Sequence, residues 1–192
     1  MNRYHKSAII LAVVFELIII YTGSVYLLYN NYEGFKLSLL AAVSILIPFI
    51  IYLTAKRTNL DIPQNFQLFG VLFIFTAQYF GEINKFYELI WWWDLMLHGA
   101  FGSYAVFTFH YIVKKIIRKE VEISQKKYKM TLSLISFCFA VALGALWEIF
   151  EFSGDFLFNT CMVKGGLEDT MSDLIIKTTT ALITSLIYYK KN

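Results

Sequence analysis

Six apolar runs constrain what this chain can fold into: residues 8–29, 38–55, 65–80, 95–113, 130–150 and 174–189. Each approaches the roughly 20 residues that a helix needs to cross about 30 Å of hydrocarbon, the third being the shortest. In lipid an unpaired backbone polar group finds no water, so spanning segments close their hydrogen bonds internally as helices. The rest of the composition agrees. Of 192 residues, 58% are hydrophobic and only 16% charged, too few to give a soluble core its polar skin. The same balance argues against a disordered chain, a nucleic-acid-binding module or a disulfide scaffold. The expectation is an all-α, multi-pass membrane bundle of six transmembrane helices, forming one integral membrane domain over residues 1–192.

Turn chemistry separates the runs: Asn30-Asn31-Tyr32-Glu33-Gly34, Thr58-Asn59-Leu60-Asp61-Ile62-Pro63 and Lys164-Gly165-Gly166. Pro48 falls inside the second span, where neighbouring helices can satisfy the carbonyl it frees. The first run is too long for a signal-peptide core and lacks a small-residue cleavage site, so it is expected to stay as an anchor.

Lys and Arg are held back on the cytoplasmic side and so set orientation. With the N-terminus inside, the inner segments hold Arg3, Lys6, Lys56, Arg57, Lys190 and Lys191. They also hold Lys114, Lys115, Arg118, Lys119, Lys126, Lys127 and Lys129 of one loop. Only Lys36, Lys85 and Lys164 lie outside, and Lys177 falls within the last span. Both termini are therefore expected in the cytoplasm. Trp91, Trp92, Trp93 and Trp147 then all fall at the outer boundary, where indole prefers the headgroup layer. An interfacial belt explains them more simply than ligand stacking. Membrane lipids are the expected partners, although the Lys-rich loop is explained more simply as a solvated topogenic loop than as a contact for anionic headgroups; no nucleic-acid partner is expected.

This topology gathers the acids on the other face. Asp94 and His98, four apart at the outer start of span four, share a helical face. Glu148, Glu151 and Asp155, near the outer end of span five, fall within an arc of about 60° at 100° per residue. Asp169 and Asp173 lead into span six, and Glu82 follows span three. Glu148 stands in the apolar context Ala-Leu-Gly-Ala-Leu-Trp-Glu-Ile-Phe, where a bare carboxylate is expensive, and such groups usually pair or mark a pathway. Three outcomes stay open: a bound divalent metal, a carboxylate–histidine acid/base pair, or a protonatable relay. Carboxylate with imidazole suits Zn²⁺, Mn²⁺ or Fe²⁺, and carboxylates alone suit Mg²⁺ or Ca²⁺. Against all three stands the simpler account of helix-end acids around a core histidine.

The remaining candidates carry less. Glu16, in the middle of the first span, is expected to make a buried hydrogen bond to a neighbour, with a proton relay as the alternative. Lys177, one turn after Asp173, can neutralise it at i+4 or snorkel outward. His110 is expected near the inner interface and His5 in the tail. Cys138 in the bilayer and Cys161 in the last outer loop are not placed to bridge. No phosphate-cradling glycine loop and no paired metal-ligating cysteines occur. Gly99, Gly102 and Ser103, with Ala140, Gly144 and Ala145, permit close helix packing.

At these residues the chain resembles the YjdF-like family of bacterial inner-membrane proteins, whose function is uncharacterised. The resemblance rests on Gly81-Glu82, Phe86-Tyr87, Trp92-Trp93-Asp94, Leu97-His98 and Gly102. It continues through Phe139-Ala140, Gly144, Trp147-Glu148, Glu151 and Asp155 to Asp169-Thr170-Met171-Ser172-Asp173-Leu174. It covers residues 65–185, and the first two spans match only as generic apolar helices. More distantly the chain is similar to VanZ-like proteins, which share an Asp-x-x-x-His helix and a late Asp-Leu helix start. After that pair the YjdF-like pattern places Asn or Asp and then Gly-Ala, whereas this chain has Lys177 and Thr180-Ala181. A cation there is able to fill the site electrostatically, which weighs against metal binding by the last span.

The leading expectation is a polar site opening toward the outer leaflet, in an enzyme acting on a lipid or envelope precursor. His98 and Glu148 would be the acid/base pair, Asp94 would orient the imidazole, and Glu151, Asp155, Asp169 and Asp173 would hold a divalent metal. The rival is a small transporter using the same acids as cation or proton ligands, which should continue the polar path toward the cytoplasm. A structural or assembly protein, whose acids only bond helix ends together, is the third reading.

Overall fold

A computed structural model of the chain describes residues 3–117, 123–158, 162–163 and 165–191. Arg118, Lys119, Cys161 and Lys164, named above for topology or thiol chemistry, lie outside the described residues. The described chain is helical, with no strand: α1 (Arg3–Leu28), α2 (Tyr32–Ile45), α3 (Ile47–Arg57), α4 (Phe66–Phe75), a π-helical segment (Thr76–Ile83), α5 (Phe86–Leu89), α6 (Trp93–Ile116), α7 (Gln125–Phe158) and α8 (Leu167–Lys191). Four helical stretches in the described residues are long and apolar enough to cross a membrane: Arg3–Leu28, Tyr32–Arg57, Phe66–Ile83 and Gln125–Leu157. The fourth and sixth apolar runs lie within α6 and α8, which are 24 and 25 residues long but less apolar. Polar residues dilute both helices, among them His98 and His110 in α6 and Lys177, Thr178, Thr179 and Thr180 in α8.

The ends of the helices have local causes. Asn30 and Asn59 take left-handed backbone conformations just past α1 and α3, where a short polar side chain is tolerated. The Asn31 side chain accepts from the Gly34 amide and so caps α2. The second apolar run is broken at Leu46, because Pro48 at the start of α3 has no N–H to give the preceding turn. Gly70 of α4 makes room for that proline: a β-carbon there would stand 2.6 Å from Pro48 Cγ. Gly166, with φ of +65°, adopts the turn from which α8 starts.

The helices cluster into two compact units, residues 1–93 and 94–192. The core of the first is Ala12, Ile19, Ala41, Ile45, Val71, Phe75 and Ile83. Phe15 stacks on Phe75 at 3.7 Å, and Phe75 on Tyr79 at 4.8 Å, so the π-helical segment is held by an aromatic column from α1. In the second unit α6, α7 and α8 meet at Ala105, Val106, Ala140 and Ala181. Phe109 of α6 stacks on Phe139 of α7 at 3.5 Å, and His110 of α6 on Tyr188 of α8 at 4.5 Å. The Ser185 hydroxyl donates to the Ser133 carbonyl across α8 and α7. The large apolar side chains left exposed along α1, α2, α3 and α7 form the surface expected of helices in lipid.

Candidate functional site

The polar centre of the second unit is built from three pairs of residues, each four apart on one helix: His98 and Gly102 on α6, Gly144 and Glu148 on α7, and Asp173 and Lys177 on α8. Four residues advance a helix by about 400°, so each pair projects from one face on successive turns. The glycines give clearance. A β-carbon on Gly102 would lie 2.5 Å from the Lys177 carbonyl oxygen and 2.7 Å from the Thr180 hydroxyl. The backbones of α6 and α8 therefore meet directly. Gly144 opens a track on α7 for the Lys177 stem, whose Cδ would lie 3.3 Å from an added β-carbon.

One turn from that contact, His98 Nε2 lies 3.1 Å from Asp94 Oδ1 and 3.2 Å from Asp173 Oδ2. His98 and Asp173 are buried and Asp94 is half-buried in the first turn of α6. Two carboxylates thus compete for one ring nitrogen, which can donate a single hydrogen. The second oxygen of Asp173, Oδ1, is also buried and has no hydrogen-bond partner among the described residues. The centre holds more acceptors than donors, an imbalance that a cation relieves. One ligand atom from each of Asp94, His98 and Asp173 lies within 4.8 Å of the others, close enough to surround a metal ion. A single imidazole with two carboxylates is a donor set for Zn²⁺, Mn²⁺ or Fe²⁺, and three protein ligands leave coordination positions open.

Lys177 goes elsewhere. Its ammonium donates to Glu148 Oε1 of α7. Only 2% of Lys177 and 5% of Glu148 is exposed. Lys177 therefore neither neutralises Asp173 nor snorkels outward, because Gly144 leads its stem across to α7. The cation at this departure from the YjdF-like pattern leaves the Asp–His–Asp group unfilled. Glu148, expected as the partner of His98, is committed to Lys177 instead. This partnership was missed because helical spacing shows neighbours on one helix and not across two. The small residues Gly102 and Gly144 were the signal that could have pointed to it.

The other expected ligands are distributed differently. Of Glu151, Asp155, Asp169 and Asp173, only Asp173 joins the group that can surround a metal among the described residues. Glu151 is half-buried one turn beyond Glu148, within electrostatic reach of Glu148, His98 and Lys177. Asp155 accepts the backbone amides of Met162 at 2.6 Å and Val163 at 2.8 Å, holding the chain that follows α7. Asp169 lies in the first turn of α8, where a carboxylate is favoured by the helix dipole. In the first unit, Glu82 is half-buried in the π-helical segment. Glu16 lies on α1 beside an apolar groove lined by Val13, Leu17, Leu46 and Phe49. The hydrogen bond expected of Glu16 is not found among the described residues. Trp91 and Trp92 are exposed, whereas Trp93 packs edge-on against Phe80 and Phe86.

Below the Lys177–Glu148 pair, Ala105, Val106, Ala140 and Ala181 pack tightly, none more than 7% exposed. The buried Tyr104 hydroxyl and Thr108 Oγ1 of α6 flank that layer, and the buried residues His110, Ser133, Ser136 and Ser185 lie beyond it.

Residues 6–192 match a family described as "Predicted membrane protein (DUF2238)". A Thermotoga maritima protein carrying only the description "Uncharacterized protein" is 32% identical over 140 residues, covering 73% of this chain and 70% of its own. No solved structure matches.

Proposed function

The chain belongs to the DUF2238 family of predicted membrane proteins, and on that premise we propose that it is a metal-dependent membrane enzyme acting on a lipid or envelope precursor. Its metal is held by Asp94, His98 and Asp173. The observation that carries this reading is the excess of buried acceptors around His98 Nε2, with Asp173 Oδ1 left without a partner among the described residues. A divalent ion bound there would polarise a substrate oxygen and ease deprotonation of water. Asp94 and Asp173 balance its charge, and His98 contributes the nitrogen that favours a transition metal over Mg²⁺. Glu151, half-buried and not taken up in the Lys177 pair, is the nearby acid best suited to accept a proton.

In the membrane, we read six spans with both termini cytoplasmic in a bacterial cytoplasmic membrane, placing the site near the outer leaflet. The 24 residues of α6 and 25 of α8 extend about 36 Å at 1.5 Å per residue, enough to cross. Lys114 and Lys115 end α6, and Lys190 and Lys191 end α8, on the side read as inner. The motif residues that resemble the YjdF-like family include all three proposed ligands. A permease is less well supported, because the buried residues at the next level, Ala105, Val106, Ala140 and Ala181, carry no ionisable group to continue the path.

Metal analysis of the purified full-length protein tests the reading. One divalent ion per chain is expected in the wild type, and substoichiometric metal in both His98→Ala and Asp173→Asn. A wild type that neither retains nor takes up Zn²⁺, Mn²⁺ or Fe²⁺ would exclude it.

A further inference from the structure

We propose that Lys177 and Glu148 act as a positioning pair that fixes the rotation of α8 and so presents Asp173 to His98. The proposal rests on the metal reading above and assigns the buried ion pair its part in it. Asp173 and Lys177 occupy one face of α8 on successive turns, so a rotation that moves one moves the other. Two constraints act at the Lys177 turn. Its backbone carbonyl lies against Gly102 of α6, with no space for a β-carbon between them. Its side chain crosses Gly144 and ends on Glu148 of α7. Together these hold α8 from two sides, one helix turn from the point where Asp173 Oδ2 meets His98 Nε2 at 3.2 Å.

The pair also works through charge. Three of the acids gathered here, Asp94, Asp173 and Glu148, face one imidazole and one ammonium. Because Lys177 is almost completely buried and bonded to Glu148, the pair contributes no net charge. The Asp–His–Asp group is then left with two carboxylates of its own to meet a divalent ion. Removing the ammonium leaves a buried Glu148 without its counter-ion, and α8 loses the bond that sets its rotation.

Co²⁺ titration of the full-length protein, followed by the visible d–d absorption of the bound ion, separates positioning from mere stabilisation. Lys177→Met and Glu148→Gln should each weaken Co²⁺ binding at least tenfold and alter the absorption band, with helix content unchanged. The exchanged double variant, Lys177→Glu with Glu148→Lys, should return affinity to within threefold of wild type. Single variants that melt earlier but bind Co²⁺ with wild-type affinity and spectrum would overturn the proposal while leaving the metal site standing. Absence of Co²⁺ binding in the wild type would instead remove the metal reading and the positioning role with it. Should the single variants not fold, the exchanged variant decides: near-native affinity supports the proposal, and a tenfold loss in folded protein overturns it.

Discussion

Asp173 and Lys177 stand one turn apart on the same face of α8 and bond to different helices, Asp173 to His98 of α6 and Lys177 to Glu148 of α7. An acid four residues before a lysine is the favourable order for a bond along one helix. Here Gly144 opens α7 to the Lys177 stem, while the Asp173 side chain turns to His98 of α6. The consequence is a three-helix unit joined by polar contacts at one level and by small apolar residues at the next. Close approach through glycine and alanine is an effective way to hold helices together in lipid, where no hydrophobic drive acts between them.

Loss of one member of the buried pair should be costly. Lys177→Met leaves Glu148 buried and unpaired, and the expected destabilisation is about 3–5 kcal/mol. Replacing both residues with apolar ones, Lys177→Met with Glu148→Leu, should recover most of that loss. Reversible unfolding in mixed micelles measures both variants; equal destabilisation of the single and double variants would contradict the pairing.

Gly102→Ala tests the backbone contact between α6 and α8. The added methyl must displace the Lys177 carbonyl, and backbone cannot swing aside as a side chain can. A destabilisation of about 1–3 kcal/mol is expected. Gly99→Ala is the control, since its β-carbon would meet Thr180 Cγ2 at an ordinary 3.4 Å. Similar stabilities for the two variants would mean that the helices do not approach at Gly102.

The sequence was informative about helices and less so about what joins them. Apolar runs and the Asn-rich turns place the helices, but α7 and α8 extend several residues past their runs and the break at Leu46 before Pro48 falls within a run expected to be continuous. The spacing of Asp94 and His98 likewise puts both on one face of α6. The bond from His98 to Asp173 and that from Lys177 to Glu148 depend on how three helices rotate against one another. Periodicity narrows such rotations without choosing among them. The π-helical turn at Thr76–Ile83, beside which Phe75 stacks on Tyr79, was also hidden, since no local residue signal marks its extra residue per turn. Lys177 illustrates the remaining difficulty: read along its own helix it belongs with Asp173, and only the track across Gly144 sends it to Glu148.

Asp155 should behave as a structural carboxylate. It holds the Met162 and Val163 amides, so Asp155→Ala frees two donors and is expected to cost about 1–3 kcal/mol. Metal stoichiometry should remain that of the wild type. A variant with native stability and no metal would reverse the assignment and return Asp155 to the ligand set.

Metal affinity should fall as pH falls. Binding requires a neutral imidazole at His98 and ionised carboxylates at Asp94 and Asp173, so protons compete with the ion for the same atoms. The sign is fixed: acidification weakens binding, and alkalinisation strengthens it until the ligands are deprotonated. In His98→Asn the imidazole part of this competition is gone, so residual binding should depend less steeply on pH. Co²⁺ titrations across the pH range check both, and a wild-type affinity independent of pH would exclude ligation by these three groups.

Membrane orientation carries the last prediction, because it decides which side of the membrane the Asp94–His98–Asp173 centre is near. If both termini are cytoplasmic, Trp91, which is 83% exposed, faces outward, and Lys126, in the first turn of α7, faces inward. In a background with both native cysteines replaced, Trp91→Cys should react with a membrane-impermeant maleimide in intact cells. Lys126→Cys should react only after permeabilisation. Restored alone to that background, Cys138, which is exposed on the surface of α7 but in its apolar stretch, should resist the reagent with and without permeabilisation. The reverse pattern would turn the protein over, assign the lysines to the outer face and move the Asp94–His98–Asp173 centre to the cytoplasmic leaflet. Reaction of both engineered cysteines in intact cells would mean that an odd number of crossings no longer separates them, contradicting the reading of α6 as a span.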